Sequence, residues 1–215
     1  VMSHPDDPEL ACGGSVAGWA KEGDVYYIIV TSGDKGSWDN HESPFQTAIE
    51  REKEAVRAAE LLGVKKVIFL RHPDGSIDDI KTLKLEIAAL IRKFKPGTIV
   101  TNDPWSHHFH PDHRATANSV IKAVMIARDW HFYPFLKEIG LEPYSPDELL
   151  LTPSEKPNYF IDISETIEKK IEAIGVHSSQ IDKWENWDER IRDWTSREGE
   201  KAGYDYAESY YRMRL

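Results

Sequence analysis

Four short apolar runs alternate along the first hundred residues with three stretches whose apolar positions recur every three or four residues, and this alternation limits the possible folds most. The runs are Val1-Met2-Ser3, Val25 to Val30, Val67 to Leu70 and Thr98 to Thr101. They are β-branched or aromatic and lack a polar face, as strands buried on both sides do. Between them, Leu10, Val16, Ala17 and Ala20 mark one helix, stopped by Gly23. Ala48, Ala55, Val56, Ala59 and Leu62 mark a second, with Gly63 beyond it, and Ile80, Leu83, Ile87, Leu90, Ile91 and Phe94 a third, ended by Pro96-Gly97. Strands joined through helices at this spacing predict an α/β fold, a Rossmann-like doubly wound and mostly parallel sheet flanked by helices. Such sheets bind ligands beyond the carboxyl ends of their strands, so the active site is expected there.

The rest of the chain continues this domain. Val120, Ile121, Val124 and Met125 mark another helix, Phe160 to Ile163 a late strand, and Ile167, Ile171 and Ile174 a further helix. Residues 129–157 read as an irregular, substrate-facing insertion, too long for a passive connection. From about 181 to 215 the chain reads as a helical tail rich in Trp184, Trp187, Trp194, Tyr204, Tyr206, Tyr210 and Tyr211. Those aromatics suit a sugar site, an oligomer interface or the pinning of a carboxyl-terminal helix. A length of 215 residues is expected to form one domain over 1–215.

With 27 basic against 37 acidic residues the net charge is -10, and no basic stripe offsets it, so nucleic acid is not an expected partner. No apolar run approaches the about 18 residues of a membrane span. One cysteine, Cys12, excludes an internal disulfide and a multi-cysteine metal site, which leaves histidine and carboxylate as ligands and fits a cytoplasmic setting.

Two clusters carry the chemistry. His4-Pro5-Asp6-Asp7 follows the first strand and His110-Pro111-Asp112-His113-Arg114 follows the fourth, so the sheet brings both to one edge. Meeting there, they could give two histidines and a carboxylate to a divalent ion and leave acid–base groups over. A turn at His4 capped by Asp7 explains the first cluster but not its recurrence after a second strand. The polar stretch Thr31 to Pro44 is expected to border the pocket. Gly13 and Gly14, early in a helix, point to close packing or to a ligand. Asp34, Asp74 and Asp103 read as turn formers, and His41, His72, His107, His108 and His131 as loop or surface residues.

His4-Pro5-Asp6-Asp7 ahead of Gly13-Gly14, Arg51 ahead of Leu61-Leu62-Gly63, Asp74-Gly75, His110-Pro111-Asp112-His113, and His177 with Gln180 together resemble the LmbE/PIG-L family of zinc-dependent N-acetylglucosaminyl deacetylases. The resemblance spans nearly the whole chain. Asp103-Pro104-Trp105 and Lys156-Pro157-Asn158-Tyr159, with Val176-His177, resemble the archaeal branch acting on diacetylchitobiose. The resemblance implies that His4, Asp7 and His113 bind one zinc ion, that Asp6 is the base, and that a protonated His110 stabilises the oxyanion. Asp112 would orient His110 or a neighbouring ligand. Arg51, Arg114, His177 and Trp105 would contact substrate, although Arg51 also reads as an ordinary helix-surface charge. The implied partner is a small N-acetylated amino sugar, N-acetylglucosamine or diacetylchitobiose, cleaved to acetate and a free amine by a homo-oligomer up to a hexamer. The residues alone also allow a metal-dependent hydrolase of another amide or a phosphoester, and iron or cobalt in place of zinc. A silent sugar- or nucleotide-binding module is the remaining alternative, and the chain has no G-x-G-x-x-G to support a nucleotide.

Overall fold

The structure is a computed structural model that describes residues 1–106 and 110–215. Its helices are α1 (Asp7–Trp19), α2 (Pro44–Leu62), α3 (Leu83–Phe94), α4 (Pro111–Arg128), α5 (Phe135–Glu138), α6 (Ile167–Gly175), α7 (Ser178–Ile181) and α8 (Trp187–Glu200). Its strands are β1 (Tyr26–Thr31), β2 (Lys66–His72), β3 (Thr98–Thr101), β4 (Glu148–Leu151), β5 (Tyr159–Asp162) and β6 (Ala207–Arg214). β1 pairs in parallel with β2, and β3 with β4; β6 lies antiparallel between β4 and β5.

The first three residues join these two groups of strands. Met2 N–H donates to the Ile28 carbonyl and Val30 N–H to the Met2 carbonyl, both at 2.9 Å. On the other side the Val1 nitrogen donates to the Val100 carbonyl at 2.7 Å. The opening segment therefore sits between β1 and β3. From there the chain winds outward through β1 and β2, then crosses back to lay down β3 and β4. Its end faces the point where the winding reverses, where open α/β sheets form a crevice.

The sheet is covered on both faces, as its unbroken apolar runs require. Leu149 and Leu151 pack with Leu83, Ile87, Val120 and Val124 from α3 and α4. Leu150, between them, packs with Val16, Ala55, Leu62 and Ala173 from α1, α2 and α6. Adjacent residues of one strand thus feed opposite layers, as the two-residue side-chain period dictates.

Two expectations change here. The stretch 129–157 is not irregular throughout, since β4 comes from it and Leu149 to Leu151 are at most 1% exposed. Four residues between prolines are too few to display a period. The tail is helical only as far as Glu200, after which β6 enters the sheet. Its sequence Ala-Glu-Ser-Tyr-Tyr-Arg-Met-Arg looks too polar for a buried strand, and Glu208 explains why it is tolerated. That carboxylate, 1% exposed, accepts from the Gly14 and Ser15 amides at 2.9 and 2.8 Å and pairs with the buried Lys170 ammonium at 2.6 Å. Of the tail aromatics, Trp187 pins α8 by packing on the cluster of Ile174, Ile181 and Ile191, while the buried Tyr210 and the core-packed Tyr211 belong to β6.

Gly14 is needed for packing. A Cβ there would lie 2.8 Å from the Ile163 Cβ, which is fixed to backbone and cannot swing aside. Gly14→Ala should therefore lower stability by about 1–3 kcal/mol, the usual cost of overpacking a core. An unchanged urea midpoint would show that the contact between α1 and the turn after β5 has slack.

Candidate metal centre

Both His-Pro-Asp clusters open helices. Asp6 is the N-cap of α1 with Pro8 in its first turn; His110 is the N-cap of α4 with Pro111 first and Asp112 and His113 following. Proline suits that position, and carboxylates there face the positive end of the helix dipole. The strand order brings the two helix starts together. His4 Nδ1 lies 3.2 Å from Asp7 Oδ2 and 3.2 Å from His113 Nε2, and His113 Nε2 lies 3.1 Å from Asp7 Oδ1. Residues more than a hundred apart in sequence thus close a triangle of two nitrogens and a carboxylate.

The donor set fits a divalent ion such as zinc. Ligands 2.0–2.2 Å from a tetrahedral ion stand about 3.3–3.5 Å from one another, close to the spacing found. Three protein ligands also leave a coordination position for water or substrate. His110 brings a ring nitrogen within 4.8 Å of those of His4 and His113, and its ring stacks on His113 at a centroid distance of 5.0 Å.

Behind His4 stand two carboxylates. Its Nε2 is 3.2 Å from Asp74 Oδ1 and 3.4 Å from Asp112 Oδ2. Asp112 is 1% exposed and also accepts the Gly75 amide at 2.7 Å. An imidazole held by carboxylate through its second nitrogen is fixed in tautomer and orientation and is a more basic ligand. Burial opposes a charge on His4, but Asp7 and the bonds to Asp112 and Asp74 outweigh it and lift the pKa to about 12. The Asp7 pKa moves the other way: burial raises it, and the two imidazoles hold it well below the usual carboxylate range. The triangle therefore favours positive charge at its centre.

Asp6 faces the same cleft. Its Oδ1 accepts from Arg51 Nη2 at 2.8 Å, and Arg51 Nη1 donates to the Gly33 carbonyl at 2.9 Å. Arg51 is 4% exposed, so it is not a helix-surface charge. The capping box of Ser43 and Gln46 fixes the start of α2 and so the height at which Arg51 reaches the cleft. The cleft, about 390 Å³, is lined by His4, Asp6, Asp7, Asp74, His110 and His113, with Lys35, Gly36, Arg51, Gly75 and Gln180 completing its wall. The polar loop after β1 borders it as expected. A second cavity of about 240 Å³, at the amino ends of β1 and β3, has mainly apolar walls and no histidine.

Other sequence expectations fare unevenly. Asp112 supports His4, not His110. His177 does not close the cleft; it is 1% exposed and bonds Glu9 Oε2 at 3.1 Å. Arg114 is exposed on α4, and Trp105, 63% exposed, stands outside the cleft wall. Burial, then the neighbouring His4 and His113, lower the His110 pKa. Asp103 forms a turn by accepting the Trp105 amide at 2.9 Å. Asp74 is more than a turn former, and its place before Gly75 in the family resemblance was the signal for that. His72 has a carboxylate partner, Glu86, at 2.8 Å, and His131 has Asp129 at 2.9 Å, both outside the cleft wall. His107 and His108 lie outside the described residues.

Sheet and cluster together define an α/β protein with two histidines and a carboxylate gathered at its switch point, donors that could hold a divalent ion. Residues 1–124 match the family described as PIG-L: GlcNAc-PI de-N-acetylase, and the chain belongs to that family. It is 36% identical over 212 residues to the diacetylchitobiose deacetylase of Thermococcus kodakarensis, covering 97% of this chain and 79% of that protein. The structure of the N,N'-diacetylchitobiose deacetylase from Pyrococcus horikoshii, complexed with its inhibitor MPG, superposes with a TM-score of 0.94 at 34% identity, over 99% of this chain and 82% of the other. The 4-carboxy-2-hydroxymuconate hydratase GalB from Pseudomonas putida shares the fold, with a TM-score of 0.85 at 20% identity over 100% of this chain and 95% of that one. No helix among the described residues is long and apolar enough to cross a membrane.

Asp74→Asn should weaken zinc binding about 10–100-fold, the usual effect of removing a carboxylate behind a ligand histidine. Competition against a chromogenic chelator measures this, with Asp103→Asn as the control that binds normally. Equal affinities for the two variants would remove Asp74 from the site.

Proposed function

We propose that the chain is a zinc-dependent hydrolase that removes the acetyl group from N-acetylglucosamine or diacetylchitobiose, releasing acetate and a free amino sugar. The observation that carries this reading is the His4–Asp7–His113 triangle with Asp6 beside it in the cleft, in a chain over a third identical to a diacetylchitobiose deacetylase. An ion held by His4, Asp7 and His113 supplies Lewis acidity for activating water and polarising the acetamide carbonyl.

The chain's own residues supply the rest. Asp6, held on the cleft wall by Arg51, takes the proton of the attacking water and returns it to the departing nitrogen. His110 turns a ring N–H toward the carbonyl oxygen as charge builds there. Its Nδ1 is buried with no hydrogen-bond partner among the described residues, so no hydrogen bond at that nitrogen fixes the ring before substrate arrives. Water attack and C–N cleavage then convert the acetamide to acetate and amine. Arg51 positions Asp6 and, from the cleft wall, also faces the space the sugar would take. Trp105 offers an exposed face on which a second sugar ring can stack. A cytoplasmic setting and a homo-oligomer complete the reading. The lone buried Cys12 needs no oxidising compartment, and exposed Trp130, Phe132, Phe135 and Ile139 offer apolar contact surface.

Acetate should be released from diacetylchitobiose by the zinc-loaded protein, cease with a chelator and return with added zinc. Asp6→Asn should keep its zinc and lose at least about 100-fold in kcat, within the range of general base catalysis. His113→Ala should lose the zinc itself. Equal zinc loss in both variants, or turnover that survives metal removal, would refute the assignment.

A further inference from the structure

Gln180, one turn beyond His177, has no role in the chemistry just described. Its Nε2 donates to the Gly36 carbonyl at 2.7 Å, which ties α7 to the loop after β1. That loop encloses the guanidinium that holds Asp6. Gly33, at φ +62, gives its carbonyl to Arg51 Nη1, and a Cβ on Gly33 or Gly36 would collide with the guanidinium. Only glycine lets the backbone approach that closely.

Each end of this arrangement is fixed. The Ser179 amide and hydroxyl donate to Glu54 at 2.9 and 2.6 Å, and the Ser178 hydroxyl to the same carboxylate at 3.2 Å. Glu54 lies on α2 three residues after Arg51, so α7 and Arg51 share one frame. Across the cleft, Lys35 N–H donates to Asp74 Oδ2 at 3.2 Å and its ammonium bonds the Asp74 carbonyl, while the Asp74 amide donates to Asp34 Oδ1 at 3.2 Å. The loop thus hangs between the carboxylate behind His4 and the glutamine on α7. Releasing the glutamine leaves Gly36 free to move off Arg51, and with it the support for one rotamer of Asp6.

We propose that Gln180 is a positioning residue for the reaction, acting through the Gly36 carbonyl and Arg51 on Asp6. This rests on Asp6 being the base. A displacement of about 1 Å in a reacting group can cost up to about 100-fold in rate, so a loosened base shows in kcat before it shows in binding.

Gln180→Leu keeps the bulk and removes the N–H donor. In the zinc-loaded enzyme, kcat for diacetylchitobiose should fall about tenfold, with KM and bound zinc close to those of the parent. In an Arg51→Met background the same change should cost no further factor, because the chain is already broken. Gly36→Ala, which presses on Arg51 from the other side, should reproduce the loss in kcat if Gln180→Leu fails to fold. A parental kcat, a loss confined to KM, or losses that multiply in the double variant would each overturn the proposal. Asp6→Asn is assayed alongside. If it turns over normally, both the base and its support fall; if it is slow while Gln180→Leu is not, only the positioning role falls.

Discussion

The structure depends on how one imidazole is held. His4 lies at the end of a strand wedged between β1 and β3, with Asp7 and His113 on one ring nitrogen and Asp74 and Asp112 on the other. Four groups from three segments converge on a side chain that is 6% exposed. In so dry a setting each charge is strong, and unpaired it would be costly. The fold therefore cannot shift any of these segments independently: the same contacts that shape the ligand triangle fix where the turn after β2 and the start of α4 sit against the opening strand.

A second buried charge steadies α1 beyond its first turn. Glu208 on β6 receives the Gly14 and Ser15 amides of α1, Lys170 from α6 and the Tyr210 hydroxyl. The pair adds little net stability over a well-packed apolar core, but losing one partner would leave an uncompensated charge, a deficit of about 3–5 kcal/mol. Such a network favours specificity of packing. It holds α1 against an antiparallel strand from the far end of the chain, and α1 is the helix whose first turn carries Asp7.

Much of this was legible in the residues and some was not, for physical reasons. The strands from Tyr26 and Thr98 announce themselves because burial demands unbroken β-branched runs, and the edge strand from Lys66, only half-buried, carries the same kind of run. The meeting of the two clusters is readable because His-Pro-Asp recurs after two strands that a parallel sheet must align. β4 and β6 escape notice because one is four residues long and the other carries charges that only Lys170 and backbone amides make tolerable. Arg51, Asp74 and His177 share a different obstacle: each is a common surface residue type, and its burial is decided by a partner remote in sequence, Asp6, His4 and Glu9 respectively. Pattern reports which face a residue takes, not which distant group it meets.

The hydratase GalB shares this fold, so sheet order alone does not choose a reaction. What narrows the choice here is the division of labour among adjacent carboxylates. Asp6 and Asp7 are neighbours in one turn, yet their surroundings separate them: Asp7 is held by two imidazoles and a backbone amide, Asp6 by a guanidinium at the cleft wall. A carboxylate whose oxygens both face imidazoles suits ligation. One that is held at a single oxygen by a fixed cation keeps its other oxygen for a passing proton. Two identical side chains in sequence thus acquire different surroundings from the partners the sheet brings to them, and the proposed division between ligand and base rests on that separation.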